Sequence, residues 1–422
     1  MMARTRIALG ALLVILISGA AWSAPVAIDF WGGWTGPDAN TMQGIVDKFN
    51  KSQADVQVNF MSLQWTPLYT KFLTEMKGGN PPDILAMHGF EVGVFVELGV
   101  LDPGAVKSFG FKAADFTKVT WDASFYKGVQ YAAPLDVNMH GLYYNKDLLA
   151  KAGIKTPPRT GAELIADAIK LTVDKNGKHP GEANFDAGNV TQFGLGLLMN
   201  HHGFYQFLGL ISQENANPFN QTQTSVKFDQ QKAVKAWGFL QDLVFKYQVV
   251  PKGEKSPVDD FIAGTVAMFI DGPWQLSKLL ASPINLGATR FPKVFDTDAN
   301  WGATEVLTFP LRPKVDAARQ QAAKAFVSWI EQNSGEWAKS GQLPASQAGL
   351  VFAKTLPMRQ AFIDSIPTTA FLPAHPLATK LFSSIAPSPI LTASQDALLN
   401  DKDPSQVTQQ LEKDLNEVFA QQ

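Results

Sequence analysis

The order of strand and helix patterns near the start of the chain is the feature that most constrains its fold. Apolar or alternating runs over Val26–Trp31 and Val56–Phe60, and a third run in PPDILAM, have the composition of strands. Residues Asn40–Asn50 and Tyr69–Lys77 separate these runs and carry apolar side chains at helical spacing. Strands joined by helices form a mostly parallel sheet, and ligands bind beyond the carboxyl ends of its strands. The sequence therefore predicts an α/β fold with a site at that edge.

Length and composition predict a soluble protein of two domains. The 422 residues exceed one ordinary hydrophobic core. The net charge of −2 shows no basic excess, so we expect no nucleic-acid partner. Because the chain has no cysteine, disulfides, cysteine-ligated metals and a lipidated cysteine anchor are excluded. The common hydrolase and nucleotide-binding motifs are absent, and we predict that the protein is not an enzyme and carries no cofactor.

The N-terminus has the three parts of a secretory signal peptide. Arg4 and Arg6 precede an apolar run over Ile7–Ile17, and small residues follow it. The apolar run is too short for a comfortable membrane span. We expect cleavage after Ser23, so that residues 1–23 are removed and the net charge goes from −2 to about −4 with the loss of two arginines. The mature protein is then expected to be periplasmic or secreted, and monomeric.

The stretch Tyr131–Pro158 begins with the composition of a buried strand that contains polar side chains. Asp136 and Asn138 interrupt the apolar run, and polar groups in such a position need partners. Two interpretations are open: an ordinary half-buried strand, or a strand that crosses a cleft and presents these two side chains to a polar ligand. A helix should follow, with Asn145 as its N-cap and Gly153 at its end.

Several motifs make the chain resemble the extracellular solute-binding proteins of the maltose-binding type, which are the ligand receptors of ABC importers. The stretch YYNKDLLAKAGIKTPP after YAAPLD is one of them, and GGNPPDILAMHGFEVGVFVELGVLDPG is another. The most specific is FIAGTVAMFIDGPWQL, which follows the pattern F-x-x-G-x-x-A-M-x-x-x-G-x-W. The positions that match this pattern are Phe261, Gly264, Ala267, Met268, Gly272 and Trp274.

The resemblance implies a two-lobed periplasmic-binding-protein fold of type II, with three crossings between the lobes. Each lobe would be a mostly parallel sheet flanked by helices. The N-terminal lobe would comprise residues 24–136 and 291–331, and the C-terminal lobe residues 137–290 and 332–422. The strand in INLGATRFP is expected to return to the first lobe.

The resemblance also implies a function. The protein would capture a carbohydrate, a mono- or oligosaccharide, between closing lobes and deliver it to an ABC permease. Two alternatives remain open. The same fold could bind another small polar solute, such as a glycerol phosphodiester or a polyamine, or the protein could be a carbohydrate-active enzyme.

Candidate ligand contacts come from the strand ends and from the resemblance. Trp31, Trp34 and Trp65 each follow a predicted strand, and we expect one or two of them to face the cleft while the rest cap the core. Trp274 follows a Gly-Pro turn, where packing is the usual role, but the resemblance favours stacking on a sugar. The predicted ligand-binding residues are Trp31, Trp34, Gln64, Trp65, His88, Asp136, Asn138, Asn200, His202, Phe204, Tyr205, Asp271, Trp274 and Glu305.

The adjacent residues His201 and His202 are the one tempting pair of metal ligands. On a strand they would point to opposite faces, and no second histidine follows at a ligand spacing. We therefore predict no metal site. Asp271 has two open roles, because it could contact a ligand or cap the loop that follows it.

Overall fold

The computed structural model describes residues 24–253 and 256–421, so the predicted signal peptide lies outside the described residues. Two five-stranded sheets and a four-stranded sheet between them organise the fold, with a small hairpin of Phe125–Tyr126 and Val129–Gln130.

The α-helices are Gly36–Ser52, Trp65–Gly78, Val92–Glu97, Lys118–Ala123, Lys146–Lys151, Gly161–Leu171, His201–Gln213, Gln230–Phe245, Pro257–Ala263, Leu276–Leu280, Ala317–Gln332, Gln347–Ala353, Arg359–Ile363, Ala378–Leu381, Pro389–Leu398 and Pro404–Phe419. Short 3-10 helices are Gly89–Glu91, Val106–Phe109, Ala113–Asp115, Pro273–Gln275, Ser334–Ser340 and Ile366–Thr368.

The first sheet contains the strands that the start of the sequence predicts. Its spatial order is Val56–Ser62, Val26–Gly32, Ile84–His88, Glu305–Thr308 and Ala132–Pro134. The three strands joined by helices are parallel, and Glu305–Thr308 runs antiparallel to both of its neighbours, Ile84–His88 and Ala132–Pro134. Successive side chains alternate between two cores, one on each face of the sheet. We call this sheet and its helices the first lobe.

The second sheet is the centre of the second lobe. Its order is Leu286–Arg290, Gly141–Asn145, Val266–Asp271, Val190–Gly196 and Val173–Asp174. Its one parallel pair is Val190–Gly196 with Val266–Asp271. The pairing in the lobes is therefore mixed rather than mostly parallel, because strands that enter from the other lobe run against those that follow a helix. Leu286–Arg290 pairs with Gly141–Asn145, so it does not return to the first lobe as the sequence predicted.

The connecting sheet lies between the lobes and contains Leu343–Pro344, Asp136–Met139, Asn300–Ala303 and Thr369–Phe371. The chain passes from Ala132–Pro134 in the first sheet through Asp136–Met139 to Gly141–Asn145 in the second, which confirms the predicted crossing.

The chain crosses between the lobes twice more. It returns through Asn300–Ala303 to Glu305–Thr308 in the first sheet. The third crossing follows Trp337, which packs in the first lobe, because the next residue, Ala338, packs in the second.

The helix boundaries follow local sequence signals. The side chain of Asn145 accepts hydrogen bonds from the backbone N–H groups of Asp147 and Leu148 at 3.0 and 3.3 Å, as the N-cap prediction requires. The predicted helices Asn40–Asn50 and Tyr69–Lys77 lie inside longer ones. Within residues 24–253 and 256–421, no helix combines the length and apolar character needed to cross a bilayer.

Candidate ligand-binding cleft

A cleft of about 830 Å³ lies between the two lobes, beside the connecting sheet. Loops that follow the strands Val26–Gly32, Val56–Ser62 and Ile84–His88 form its first wall. The start of helix His201–Gln213 and the turn after Val266–Asp271 form the opposite wall. The carboxyl ends of strands from both sheets therefore meet at one cavity, as expected of open α/β sheets.

Tryptophan rings on the first wall lie against glycines. A Cβ atom on Gly33 would come within 1.9 Å of the Trp65 ring, and a Cβ on Gly32 within 2.4 Å of the Trp34 ring. The two rings meet edge to face, with centroids 5.7 Å apart. The Gly-Gly pair is needed here because any side chain at these positions would displace the aromatic wall.

The second wall repeats this arrangement. A Cβ atom on Gly272 would lie 2.0 Å from the ring of Trp274, so this tryptophan also rests on a glycine. The Trp274 ring lies 5.4 Å from that of His202. Tyr205 stacks on Trp301 with centroids 4.5 Å apart and planes inclined by 4°. Half-buried aromatic faces thus stand on both sides of the cleft.

A buried carboxyl pair lies at the floor of the cleft. Asp136 accepts hydrogen bonds from the Glu305 N–H at 2.8 Å, the Trp337 Nε1–H at 2.9 Å and the Asn138 Nδ2–H at 3.1 Å. The Trp34 Nε1–H donates to Glu305 Oε2 at 2.6 Å. Burial raises the pKa of Asp136, and burial together with the charge of Asp136 raises the pKa of Glu305 well above its usual range. The pair therefore holds a proton more strongly than an exposed carboxyl group does.

Asp38 and Gln342 form a second polar group at the cleft. The Gln342 Nε2–H donates to Asp38 Oδ2 at 3.0 Å, although the two residues are 304 positions apart. Burial is the main reason that the pKa of Asp38 is raised to about 7. This carboxyl group therefore changes its charge near neutral pH.

His88, His201 and His202 form part of the cleft surface, and the fully buried His140 lies behind His202. His202 Nδ1 and His140 Nε2 lie 3.1 Å apart, within hydrogen-bond distance. Burial lowers the pKa of His140 to about 3 and that of His201 to about 4, so these rings are neutral at physiological pH. On the first wall, His88 Nδ1 lies 2.8 Å from Glu91 Oε2, which also accepts from the Tyr69 hydroxyl at 2.5 Å.

The charged residues at the cleft are acidic. Asp38, Glu91 and Glu305 line it, whereas none of the described lining residues is a lysine or an arginine. Among the described residues, no three histidine or acidic side chains are grouped as a metal site would require. The surface thus offers aromatic faces, neutral imidazoles and oxygen acceptors.

Nine of the fourteen predicted ligand-binding residues line the cleft. They are Trp34, Gln64, Trp65, His88, Asn138, His202, Tyr205, Trp274 and Glu305. The structure brings them together from positions up to 271 residues apart, as between Trp34 and Glu305.

The other five predicted residues lie away from the cleft surface. Trp31 packs in the core under the first sheet, and Phe204 is fully buried in the second lobe. Asp136 is fully buried behind Glu305 and Asn138. Asn200 is an exposed N-cap whose side chain accepts from the His202 N–H. Asp271 accepts from the Gly272 N–H at 2.7 Å, which is the loop-capping role.

Sequence reasoning missed other residues of the cleft lining. They include Asp38, Tyr69, Phe90, Glu91, His201, Gln275, Trp301, Gln342 and Phe382. Asp38 could have been found from its place just after the first strand, but Gln342 and Phe382 come from distant segments with no local motif. His201 and His202 start a helix rather than lying on a strand, and their rings are 4.5 Å apart.

Comparisons with known proteins agree with this architecture. The sn-glycerol-3-phosphate-binding periplasmic protein of Pectobacterium atrosepticum is 24% identical over 85% of this chain and 81% of its own. The maltodextrin-binding protein of Bacillus subtilis is 30% identical over 60% of this chain and 57% of its own.

Solved structures match nearly the whole chain. The GacH receptor of Streptomyces glaucescens, solved unliganded and with acarbose, has a TM-score of 0.79 at 19% identity and covers 94% of this chain and 99% of its own. An ABC substrate-binding protein of Listeria monocytogenes in complex with cycloalternan has a TM-score of 0.77 at 21% identity, with the same coverage. The fold is that of the type II periplasmic-binding proteins. The family model that describes bacterial extracellular solute-binding proteins matches residues 33–337, and the chain belongs to that family.

Proposed function

We propose that the protein captures a carbohydrate between its two lobes and delivers it to the membrane permease of an ABC importer. The observation that carries this proposal is the pairing of tryptophan faces on opposite walls, Trp65 and Trp274, around a floor of oxygen acceptors. Sugar rings present C–H faces that pack on aromatic rings and hydroxyl edges that donate hydrogen bonds. Neither wall alone supplies both aromatic faces, so ligand favours the closed arrangement of the lobes.

The names of several relatives support a carbohydrate. The maltodextrin-binding protein of Bacillus subtilis and the maltotriose-binding protein of Pyrococcus abyssi are named for glucose oligomers. The cleft volume of about 830 Å³ lies within the usual range for small-molecule sites, which is roughly 300–1,000 Å³.

A glycerol phosphodiester or a related phosphate is the second candidate, because the Pectobacterium relative is named for glycerol 3-phosphate. The chemistry of the cleft is against it. A phosphate group needs cationic or N–H donors, whereas the charged residues of the described lining are acidic.

We propose that the protein binds its sugar without hydrolysing it. A glycosidase needs two carboxyl groups on opposite sides of the scissile bond, roughly 5–10 Å apart. Asp136 and Glu305 instead hydrogen-bond to each other, and Asp38 is held by Gln342. Incubation of the protein with oligosaccharides should therefore leave them intact, and the appearance of shorter products would contradict this part of the proposal.

The test of the proposed function is a thermal-shift screen against mono- and oligosaccharides, followed by calorimetric titration of each hit. Saturable binding of one sugar per protein is expected. Replacing Trp274 with alanine should weaken binding about tenfold, or about 1.4 kcal/mol, because a stacking face is lost. Trp329→Ala is the matched control, because that half-buried tryptophan packs on Phe49 outside the cleft. Absence of any sugar hit, or equal losses in the two variants, would refute the proposal.

We also propose lobe boundaries that follow the packing. The predicted bounds, 24–136 with 291–331 and 137–290 with 332–422, need two shifts, since Phe291 packs in the second lobe and Trp337 in the first.

The proposed export of a mature monomer after cleavage at Ser23 is tested by N-terminal sequencing and light scattering of protein from the periplasm or medium. Binding to the permease is tested by whether ligand-loaded protein stimulates its ATPase activity.

A further inference from the structure

The cleft extends beyond Trp65 along the helix that this residue begins. Tyr69, Thr70 and Leu73 of helix Trp65–Gly78 line the cleft together with Trp65. At a rise of 1.5 Å per residue, Leu73 lies about 12 Å from Trp65 along the helix axis. The cavity is therefore elongated, and the proposed stacking face of Trp65 does not lie at its end.

The far part of the cleft is lined by apolar side chains from both lobes. Leu73 and Val94 are half-buried residues of the first wall. Ile385 follows helix Ala378–Leu381, which packs in the second lobe, and it is 52% exposed. Phe90 and Phe382 also line the cleft, and their rings pack edge to face with centroids 6.0 Å apart. We call Leu73, Phe90, Val94, Phe382 and Ile385 the apolar arm.

The apolar arm is continuous with the proposed sugar-binding surface. The ring of His88 lies 4.4 Å from that of Trp65 and stacks on Phe90 at 5.2 Å, with planes inclined by 9°. Phe90 in turn contacts Phe382, so a row of rings leads from Trp65 into the arm. Val94 packs against the core under the first sheet and against the core of the second lobe. The arm is therefore an extension of the cleft at the junction of the two lobes.

Hydroxyl groups beside the apolar arm already donate hydrogen bonds within the protein. The Tyr69 hydroxyl donates to Glu91 Oε2 at 2.5 Å, and the Thr70 hydroxyl donates to a backbone carbonyl one turn earlier at 3.2 Å. On the other side, the Ser383 hydroxyl donates to the Ile385 carbonyl at 2.8 Å. A sugar ring in the arm would thus lose water from its hydroxyl groups against apolar side chains, which is unfavourable.

We propose that the apolar arm holds an apolar substituent of the ligand, so that the ligand is a glycoside with an alkyl or aryl aglycone. This inference rests on the proposed function, in which the sugar itself lies between Trp65 and Trp274. An aglycone in the arm would cover the exposed face of Ile385 without needing hydrogen-bond partners. Each methylene group that becomes fully buried raises the affinity about fourfold.

The test is calorimetric titration with methyl, butyl and hexyl glycosides of glucose and of maltose. The hexyl glycoside should bind at least tenfold more tightly than the methyl glycoside of the same sugar, and the heat-capacity change of binding should become more negative along the series. Equal affinities along the series would overturn this inference, whereas saturable binding of the methyl glycosides would keep the proposed function. Maltotriose that binds more tightly than hexyl maltoside would place a sugar in the arm and would also overturn the inference. If no sugar or glycoside binds, both proposals fail.

Variants of the apolar arm test its residues directly. Ile385→Thr and Val94→Thr each replace part of an apolar side chain with a hydroxyl group, and the ratio of hexyl to methyl affinities should fall at least threefold in both. Leu98→Thr is the matched control, because Leu98 is 55% exposed, follows helix Val92–Glu97 and is not part of the cleft lining. The control should keep the wild-type ratio. If Ile385 and Val94 only support closure of the lobes, both variants will weaken methyl and hexyl glycosides equally, and this unchanged ratio would contradict the assignment.

Discussion

Asp271 offers a direct test of how burial sets the charge of a carboxyl group in this fold. It ends strand Val266–Asp271 and is 1% exposed. Its oxygens accept from the Gly272 N–H at 2.7 Å and the Gln275 Nε2–H at 2.9 Å. Burial outweighs these bonds and raises the pKa of Asp271 to about 7, from 3.8. The group therefore supports the turn that carries Trp274 while remaining largely protonated below neutral pH.

The size of the effect of Asp271 on the free energy of unfolding follows from the linkage between protonation and folding. Between pH 3.8 and about 7, folded Asp271 holds a proton that the unfolded chain has lost, so the free energy of unfolding falls as pH rises. At 1.36 kcal/mol per pH unit, the rise of about 3 units corresponds to about 4 kcal/mol. Asp271→Asn cannot titrate and escapes this loss. Relative to wild type, it should gain about 3 kcal/mol in unfolding free energy between pH 4.5 and 7.5.

The assay is denaturant unfolding of both proteins at several pH values. Other buried carboxyl groups titrate equally in the wild type and in Asp271→Asn, so the difference between the two unfolding free energies reports on Asp271 alone. A constant destabilisation by the amide would lower the variant's unfolding free energy equally at every pH and would leave its pH dependence unchanged. Glu163→Gln is the control with the opposite sign. The backbone N–H groups of Arg159 and Thr160 lower the pKa of Glu163. Ionised Glu163 therefore stabilises the folded protein above the ordinary pKa of a glutamate, and this stabilisation is lost as pH falls. Parallel pH curves for Asp271→Asn and wild type would refute the reasoning.

Three further substitutions test local features of the structure. Gly33→Ala places a Cβ atom 1.9 Å from the Trp65 ring, so ligand affinity should fall at least tenfold in calorimetry, and unchanged affinity would show that the ring position is unimportant. Gly194→Ala places a Cβ atom 2.0 Å from the backbone oxygen of Ala168, and denaturant unfolding should show a loss of about 3 kcal/mol. Asn145→Ala removes an N-cap and should cost about 1 kcal/mol in the same assay, with a zero change counting against the cap.

Patterns close together in sequence predicted the elements of the fold well. The alternation of strands and helices gave the first sheet, because backbone periodicity is a local property. The N-cap role of Asn145 was also predictable, because a helix cap depends on residues that are close in sequence. Strand pairing was less predictable: Leu286–Arg290 looks like any strand, and only its neighbours decide which sheet it joins. The mixed direction of pairing likewise depends on where each crossing enters a sheet.

Part of the candidate site was predictable because a position just after a strand implies a place at the cleft. Trp34, Trp65 and His88 follow that rule and line the cavity. Asp136 is a polar side chain on the predicted crossing strand, as a ligand contact would be. Its oxygens nevertheless point into the protein, because Glu305 and Trp337 donate hydrogen bonds to them. Those partners are 169 and 201 residues away, so no local pattern could have shown that these hydrogen-bonding positions are occupied.

Asp136 connects the floor of the cleft to the three places where the chain crosses between lobes. It lies on the first crossing strand, accepts from the Glu305 N–H just after the second crossing, and accepts from Trp337 just before the third. A fully buried group with all these bonds is held rigidly, because an unpaired polar atom in this setting is costly. Glu305 and Asn138, which contact the same carboxyl group, both line the cleft. Ligand that touches these two side chains therefore acts on the same hydrogen-bond network that fixes the crossings, which gives the binding site a direct physical link to the positions about which the lobes would move.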